Sequence, residues 1–245
     1  ARKRRHRATP TPGPLTDAKV PNQVWAMDFK GQFRLGNGRY CYPLTVTDQF
    51  SRYLLWCEAQ ENTRGEPVIR SFGRLFETYG LPKTIRSDNG SPFASTGRCG
   101  LSPLGVWLLR LGIKLERIQP SHPEQNGRHE RMHRTLKAET TRPARKTFLA
   151  QQERFDDFRQ DFNTQRPHEA IGMKPPATVY AKSEVLYTPY LAPLLYPLHD
   201  CACRVKQNGC VFFGPLNTSI YIGTAFRGEQ IGFRELDDGC WLVQF

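Results

Sequence analysis

The sequence GRHERMHR at residues 127–134 allows two interpretations that differ in metal and in reaction. His129, Glu130 and His133 match the H-E-x-x-H pattern, in which two histidines one helical turn apart hold zinc and the glutamate is the general base of a protease. In the second interpretation only Glu130 is a ligand, and it acts together with carboxylates from elsewhere in the chain. The other carboxylates therefore decide between a zinc site and an oxygen-only metal site.

Asp28 and Asp88 lie at positions in the sequence where a metal site can form. Asp28 interrupts the apolar segment VWAMDF, so its charge needs a partner or a metal if that strand face is buried. Asp88 follows the strand-like segment TIRS, and strand ends are the usual place for functional residues in α/β sheets. Each residue alone also has an ordinary explanation. Asp28 could pair with Lys30, and Asp-Asn-Gly is a turn sequence. Glu130 could pair with Arg134 one helical turn away.

Together, the three carboxylates indicate a particular chemistry. Asp28, Asp88 and Glu130 come from two strands and a helix, and could converge at one sheet edge to hold two divalent cations. Two cations about 3.5–4 Å apart suit phosphoryl transfer, because they activate a nucleophile and stabilise the leaving oxygen. Oxygen ligands favour Mg²⁺ or Mn²⁺ over zinc.

The zinc interpretation is weakened by its surroundings. Glu153 lies at a tolerable distance in sequence for a third zinc ligand, so spacing alone does not exclude a protease. The helix GRHERMHRTLKAETTR is rich in Arg and Lys, however, which repel a dication and suit a phosphate backbone. A protease would also leave Asp28 and Asp88 without a role.

The composition points to a polyanionic partner. Lys and Arg number 35 against 23 Asp and Glu, a net charge of +12, although a merely solvated basic surface is the alternative. No apolar run approaches 18 residues and no apolar segment follows the basic N-terminus, so neither a membrane span nor a signal peptide is predicted. Seven scattered cysteines without a C-x-x-C pair predict free thiols in a reducing cytoplasm. The first residue is not Met, so we expect a longer natural chain.

The elements that must position the carboxylates form a mixed pattern. QVWAMDFKGQF, RYCYPLTVTDQFSRY and YLLWCEA predict three consecutive antiparallel strands. GEPVIRSFGRLFETYG predicts an amphipathic helix ending at Gly80. A strand in LPKTIRSDNG, a helix in LSPLGVWLLRLG and a strand in IKLERIQP follow. Two further helices are predicted, one from Gly127 to about Thr141 and one in TFLAQQERFDDFRQDFNTQ. This order predicts an α/β mixed sheet with helices on both faces.

Three regions are predicted along the chain. Residues 1–20 are a basic, Pro-rich extended arm rather than a packed element, residues 21–182 are the α/β core with its closing helix and linker, and residues 183–245 are a small all-β barrel. The barrel is predicted from the short alternating runs CRVKQNGCVFFGPL, SIYIG, EQIGFREL and CWLVQF.

The chain resembles the catalytic cores of the retroviral integrase superfamily, specifically bacterial insertion-sequence transposases with a D, D, E triad on an RNase H-like fold. The matching segments are VWAMDFKG, PLTVTDQFSRY, YGLPKTIRSDNGSPF, PSHPEQNGRHERMHRTLK and FNTQRPHEAIGMKPPATVY. In this pattern the glutamate follows the glycine by three residues, which selects Glu130 over Glu124. Asp48 is expected to be structural.

The resemblance implies a polynucleotidyl transferase that nicks the ends of a mobile element and joins them to target DNA, using two Mg²⁺ or Mn²⁺ ions held by Asp28, Asp88 and Glu130. It also implies a bacterial, cytoplasmic, nucleoid-associated protein that assembles as a homo-oligomer on DNA, with no membrane partner. A metal-dependent nuclease or an inactive DNA-binding protein on the same fold are the alternatives. The predicted DNA contacts are Lys30, Arg86, Asn126, Gly127, Arg128, Arg131, Arg134 and Lys137.

Overall fold

The computed structural model describes residues 14–95, 100–119, 127–236 and 239–245, and a six-stranded mixed sheet forms its centre. β3 pairs antiparallel with both β4 and β1, while β5 and β6 extend the sheet from β1 in parallel. The three predicted antiparallel strands are thus confirmed as β1, β3 and β4. The strands are β1 (Val24–Phe29), β2 (Phe33–Arg34), β3 (Tyr40–Asp48), β4 (Leu54–Gln60), β5 (Thr84–Ser87) and β6 (Lys114–Arg117).

Four helices accompany the sheet: α1 (Gly65–Tyr79), α2 (Pro103–Arg110), α3 (Gly127–Thr140) and α4 (Phe148–Thr164). α1 forms because its apolar side chains recur at helical spacing, and these are the ones that the fold buries. It ends at Gly80, whose φ of +76° is readily adopted only by glycine. All four helices were predicted, with ends within a few residues of those observed.

Alternation along the central strands assigns side chains to two separate apolar cores. Trp25 and Met27 of β1 pack with α1 and α2 on one face of the sheet. On the opposite face α3 and α4 pack over β4, where Leu136 and Phe155 are fully buried. Helices therefore cover both faces, as predicted. Because Asp28 alternates with Met27, it lies on the face that α3 covers.

The C-terminal region is all-β, as predicted, but its strands pair in two sheets. Its strands are β7 (Cys201–Arg204), β8 (Cys210–Phe213), β9 (Thr218–Tyr221), β10 (Gln230–Glu235) and β11 (Trp241–Gln244). β11, β10 and β7 form one sheet and β8 with β9 another, around a core that contains Phe213 and Phe233. The predicted small all-β region is thus confirmed, and among the described residues its strands surround one apolar core without forming one continuous hydrogen-bonded ladder.

The C-terminal region packs against the core through α2. Val106 of α2 belongs to the apolar cluster of the C-terminal strands, and Arg110 forms a largely buried ion pair with Glu229. Residues 183–200 connect the two parts without helix or strand. α2 is therefore shared between the two cores.

The N-terminal arm differs from its prediction at Thr16. The backbone N–H of Thr16 donates to Glu116 of β6 at 3.2 Å, and Arg86 of β5 donates to the Thr16 carbonyl at 2.6 Å. The arm was predicted to be unpacked over residues 1–20, but the described part is docked because the buried carboxylate of Glu116 needs donors. No helix in the described part of the chain has the length and apolarity to cross a membrane.

Candidate active site

Asp28 and Asp88 lie at the same end of adjacent parallel strands. β1 and β5 are in register at Ala26 and Arg86, and each aspartate follows two residues later in its own strand direction. Asp28 is the penultimate residue of β1, nearer the strand end than the sequence indicated, and Asp88 directly follows β5. The carboxyl ends of parallel strands are where α/β proteins build functional sites. The register therefore brings these two carboxylates to one edge of the sheet.

The electrostatics of Asp28 link it to both other candidate carboxylates. Burial, followed by the negative charge of Asp88, raises the pKa of Asp28 to about 7. A hydrogen bond from the Phe29 backbone and the charge of Lys30 oppose the rise, while the charge of Glu130 adds to it. The Phe29 hydrogen bond and the Lys30 charge thus only partly offset burial and the negative charges of Asp88 and Glu130.

Glu130 faces Asp28 across an open cleft. It lies on the exposed side of α3, and the cleft is lined by Asp28, Lys30 and Glu130 with Arg134 and Lys137. The three predicted carboxylates therefore share one region, flanked on the helix side by basic residues. Asp88 lies next to it and accepts a hydrogen bond from the Gly90 N–H at 3.0 Å.

The two histidines of the H-E-x-x-H pattern are buried against β3, whereas Glu130 is exposed, and His133 also lines the cleft that Glu130 lines. His129 Nε2 lies 2.7 Å from Thr45 Oγ1 and its Nδ1 lies 2.9 Å from Thr47 Oγ1. His133 Nε2 lies 2.6 Å from the same Thr45 Oγ1, and its Nδ1 is 3.9 Å from Asp28 Oδ2. Possible ligand atoms of Asp28, His129 and His133 do lie within 4.8 Å of one another. Both nitrogens of His129 are already engaged, however, so only two ligands remain and the set does not fit a zinc site.

Burial keeps both histidines neutral at pH 7. It lowers the pKa of His129 to about 3. It lowers the pKa of His133 further, with the charges of His129 and Lys30 adding to the effect. Neutral imidazoles can donate from one nitrogen and accept at the other, which is what the threonine hydroxyls of β3 require. The histidines therefore fasten α3 to the sheet.

Asp48 and Glu124 are also acidic residues in the segments that resemble the family pattern. Asp48 is fully buried, and its carboxylate accepts from Asn22 N, Ser51 N and Ser51 Oγ. It closes the turn after β3, which confirms the structural role expected for it. Glu124 lies outside the described residues, and so does Asn126 among the predicted DNA contacts.

The residues predicted to contact DNA do not all lie in one place. Lys30, Arg134 and Lys137 line the cleft with Glu130. Arg128 and Arg131 are also exposed, but they line a different cavity. The backbone of Gly127 begins α3, and a Cβ added there would meet nothing within 4 Å, so the fold itself does not require glycine at this position.

Arg86 does not reach the surface, contrary to the predicted DNA contact. It is 7% exposed, and its guanidinium donates to Glu116 from Nε at 3.3 Å and from NH2 at 3.0 Å. The positive charge of its guanidinium is paired with the Glu116 carboxylate and is not exposed to solvent. This geometry does not support a DNA contact by Arg86.

Other sequence features now have structural roles. Trp25 and Phe155 are fully buried, as expected of core aromatics. Asn163 belongs to the closing motif, FNTQRPHEAIGMKPPATVY at residues 162–180. Its side chain pairs with both backbone groups of Leu54 at 2.8 and 3.0 Å, a role that the sequence did not reveal. The cysteines of the described residues are free thiols, as predicted. Glu116, whose carboxylate joins the arm to β5, was missed because nothing in IKLERIQP distinguishes it.

A mixed sheet in this strand order, with aspartates ending adjacent parallel strands and a glutamate on a facing helix, defines an α/β protein of RNase H-like fold. Residues 18–123 match the model of the integrase core domain family, and residues 111–176 match a second model with the same description. The two matches run without interruption from residue 18 to residue 176. The chain belongs to the integrase core domain family.

Curated relatives include proteins of bacterial insertion elements. The chain is 32% identical over 164 residues to the uncharacterized 31.7 kDa protein of insertion element IS407 from Burkholderia multivorans, covering 66% of this chain and 57% of that protein. It is equally identical to the 39.2 kDa protein of IS476 from Xanthomonas euvesicatoria, covering 66% of this chain and 45% of that one. The chain thus spans about half the length of these relatives.

Solved structures agree on the fold. The HTLV-2 integrase catalytic core domain, in complex with magnesium, matches with a TM-score of 0.53 and 16% identity, covering 67% of this chain and all of that one. A chain of a simian T-cell lymphotropic virus intasome matches with a TM-score of 0.56 and 14% identity, covering 97% of this chain and 82% of that one. These likenesses establish the RNase H-like core.

Proposed function

We propose that this chain is the catalytic part of a DNA transposase of integrase type. The observation that carries the proposal is the placement of Asp28 and Asp88 at one end of adjacent parallel strands, beside a cleft that Asp28 and Glu130 both line. The pKa of Asp28, raised by burial and by the charges of Asp88 and Glu130, is consistent with this placement. Three carboxylates that repel one another at the end of parallel strands are costly unless a cation joins them. Family membership and the insertion-element relatives support DNA as the substrate.

The three carboxylates fit Mg²⁺ or Mn²⁺, because they offer only oxygen ligands and hold excess negative charge. We assign Asp28, Asp88 and Glu130 as the ligands of two such ions. When bound, the ions would supply Lewis-acid activation of the attacking oxygen and stabilise the leaving oxygen. The magnesium complex of the HTLV-2 core supports a divalent ion at such a fold.

The reaction has two steps at phosphorus. In the first, a water oxygen attacks a phosphodiester at the element end, and the 3′-hydroxyl leaves. In the second, that 3′-hydroxyl attacks a phosphodiester of the target, forming a new bond to the 5′-phosphate and releasing a target 3′-hydroxyl. Lys30, Arg134 and Lys137 line the cleft and hold the phosphate backbone beside the carboxylates.

Both element ends must be joined, so we expect a homo-oligomer on DNA. The intasome likeness supports an assembly of this kind. We expect the protein in the bacterial cytoplasm, associated with the nucleoid. No membrane partner is needed.

A strand-transfer assay with supplied element ends tests the proposal. The wild-type chain should nick and join in Mg²⁺, whereas Asp28→Asn, Asp88→Asn and Glu130→Gln should abolish both steps and leave duplex binding largely intact. Asp156→Asn, on the exposed surface of α4, is the matched control and should remain active. Glu124→Gln should do much less than Glu130→Gln. Equal losses for these two would move the third ligand to Glu124.

The same assay separates the alternatives. Nicking without joining would identify a metal-dependent nuclease, and binding without either step would identify an inactive DNA-binding protein. Near-wild-type joining by any one of the three variants would remove that residue from the triad.

A further inference from the structure

α3 carries two basic faces separated by a buried one. Glu130, Arg134 and Lys137 line the carboxylate cleft. Arg128 and Arg131 point to the other side, where a second cavity lies. The buried side chains between the two faces are His129, Met132, His133 and Leu136.

The second cavity is enclosed by a separate part of the fold. It has a volume of about 230 Å³ and is lined by Arg128 and Arg131 of α3, by Arg52 from the turn after β3, and by residues of the closing motif. Met132 and Phe162 form an apolar wall. Neither Asp28 nor Glu130 lines it, so this cavity is distinct from the carboxylate cleft.

Arginines outnumber carboxylates around this cavity, which Arg52, Arg128 and Arg131 line together with Asp48 and Glu169. Among the described residues no salt bridge joins an acidic side chain to any of these three arginines, and the Asp48 carboxylate accepts hydrogen bonds from Ser51 and Asn22. Burial first, and then the charge of Arg128, lower the pKa of Arg52 to about 10; Arg131 adds to the effect, while Asp48 and Asp17 oppose it. Glu169 stands exposed at the rim. Three guanidinium groups therefore converge on one space.

A buried polar atom in the same wall points to a ligand. His168 Nε2 is buried and has no hydrogen-bond partner within the described ranges, and His168 lines the cavity. Burial, with the charges of Arg52 and Arg166, lowers the pKa of His168, so the ring is neutral at pH 7 and can donate from one nitrogen. An orphaned buried donor is costly unless an acceptor reaches it.

We propose that this cavity binds a backbone phosphate of DNA outside the strand held at the carboxylates, with Arg52, Arg128, Arg131 and His168 as its ligands. Guanidinium groups and an imidazole N–H suit the several acceptor oxygens of a phosphate. The position of the cavity beside α3 fits as well, because an α-helix in the major groove of duplex DNA has a phosphate backbone on each side. This inference rests on the proposed function in that DNA is the ligand.

Arg52→Gln tests the inference without touching the cleft. Duplex affinity is measured against salt concentration in a Ca²⁺ or metal-free buffer, so that no chemistry is required. The slope of log affinity against log salt should fall by about 1 for Arg52→Gln, equally for any duplex sequence. Arg52→Lys should keep most of the slope. Arg70→Gln, an exposed arginine paired with Glu66 on α1, is the matched control and should match the wild type.

An unchanged slope for Arg52→Gln, in a variant with wild-type thermal unfolding, would overturn the proposal. If inorganic phosphate binds the wild-type chain and not Arg52→Gln while the duplex slope is unchanged, the site takes free phosphate and the DNA assignment is wrong. A wild-type chain that binds duplex but never joins ends in Mg²⁺ would overturn the proposed function alone. A wild-type chain that does not bind duplex in low salt would overturn both.

Discussion

In the proposed metal site, a proton and a dication would compete for the same oxygen atoms of Asp28. Its pKa is raised to about 7, first by burial and then by Asp88, so the folded metal-free chain keeps this proton up to about pH 7. The stability that the proton contributes is fully present below the unfolded pKa and is lost as pH rises through about 7. Metal binding must displace the proton at lower pH, because only the carboxylate is a ligand.

We therefore expect Mg²⁺ or Mn²⁺ to bind more tightly at pH 8 than at pH 6, by up to about tenfold per pH unit below pH 7. Calorimetric titration at the two values measures the affinity and the protons released. Asp156→Asn should retain this pH dependence. Equal affinities at both pH values would mean that metal binding displaces no proton from Asp28 in this range.

The histidines lead to a second residue-scale prediction. Since both nitrogens of His129 contact threonine hydroxyls, and His133 lies 3.9 Å from Asp28, beyond hydrogen-bonding distance, neither holds a metal in our proposal. The purified protein should contain no stoichiometric zinc. His133→Ala should keep Mg²⁺-dependent joining at temperatures below its lowered unfolding midpoint. One tightly bound zinc per chain, lost in that variant, would instead assign this helix to a zinc site.

At the scale of elements, Asn163 fastens α4 to the first residue of β4. Its amide pairs with both the N–H and the C=O of Leu54 in a buried position. Asn163→Ala leaves these two backbone groups without partners, so the free energy of unfolding should fall by about 2–4 kcal/mol. Denaturant unfolding measures the loss. Gln160→Ala, exposed on the same helix, should change it by less than about 0.5 kcal/mol.

The elements themselves followed from local sequence, whereas several contacts between them did not. The spacing of Val68, Phe72, Leu75 and Phe76 predicted α1, and Gly80 predicted its end, because these signals are local. The burial of Arg86 depends on Glu116, 30 residues away, and no local pattern reveals such a partner. The separate sheets of the C-terminal region likewise depend on which short strands meet.

Some features of the candidate site likewise followed from the sequence, and others did not. The pattern placed Asp88 at a strand end and Asp28 within a strand, and the parallel register that sets them side by side emerged only from the fold. The division of Arg128 and Arg131 from Arg134 and Lys137 was not evident from helical spacing, because Arg131 and Arg134 are three residues apart, and it emerged from the cavities that they line. The cavity could not be foreseen, because Arg52 and His168 enter it from distant parts of the chain.

At the scale of the whole molecule, the net charge of +12 makes DNA binding sensitive to salt. Five of the first seven side chains are Lys or Arg. Replacing these five with Gln should lower the salt slope by up to about 4 and leave the joining rate at saturating DNA unchanged. Filter binding over a range of salt concentrations measures the slope. If the slope does not change, the arm does not contact DNA.

The docking of Thr16 on Glu116 gives this arm a fixed point of attachment. Arg7 lies nine residues before Thr16, so the basic cluster starts within about 30 Å of the anchor, even in a fully extended chain. The same docked segment lies beside Arg128, at the start of α3. Any duplex seated on α3 then meets the cluster at a millimolar effective concentration. In the proposed function the arm would act as a tether that retains DNA by rapid rebinding, and removing the anchor with Glu116→Ala should speed dissociation more than it slows association.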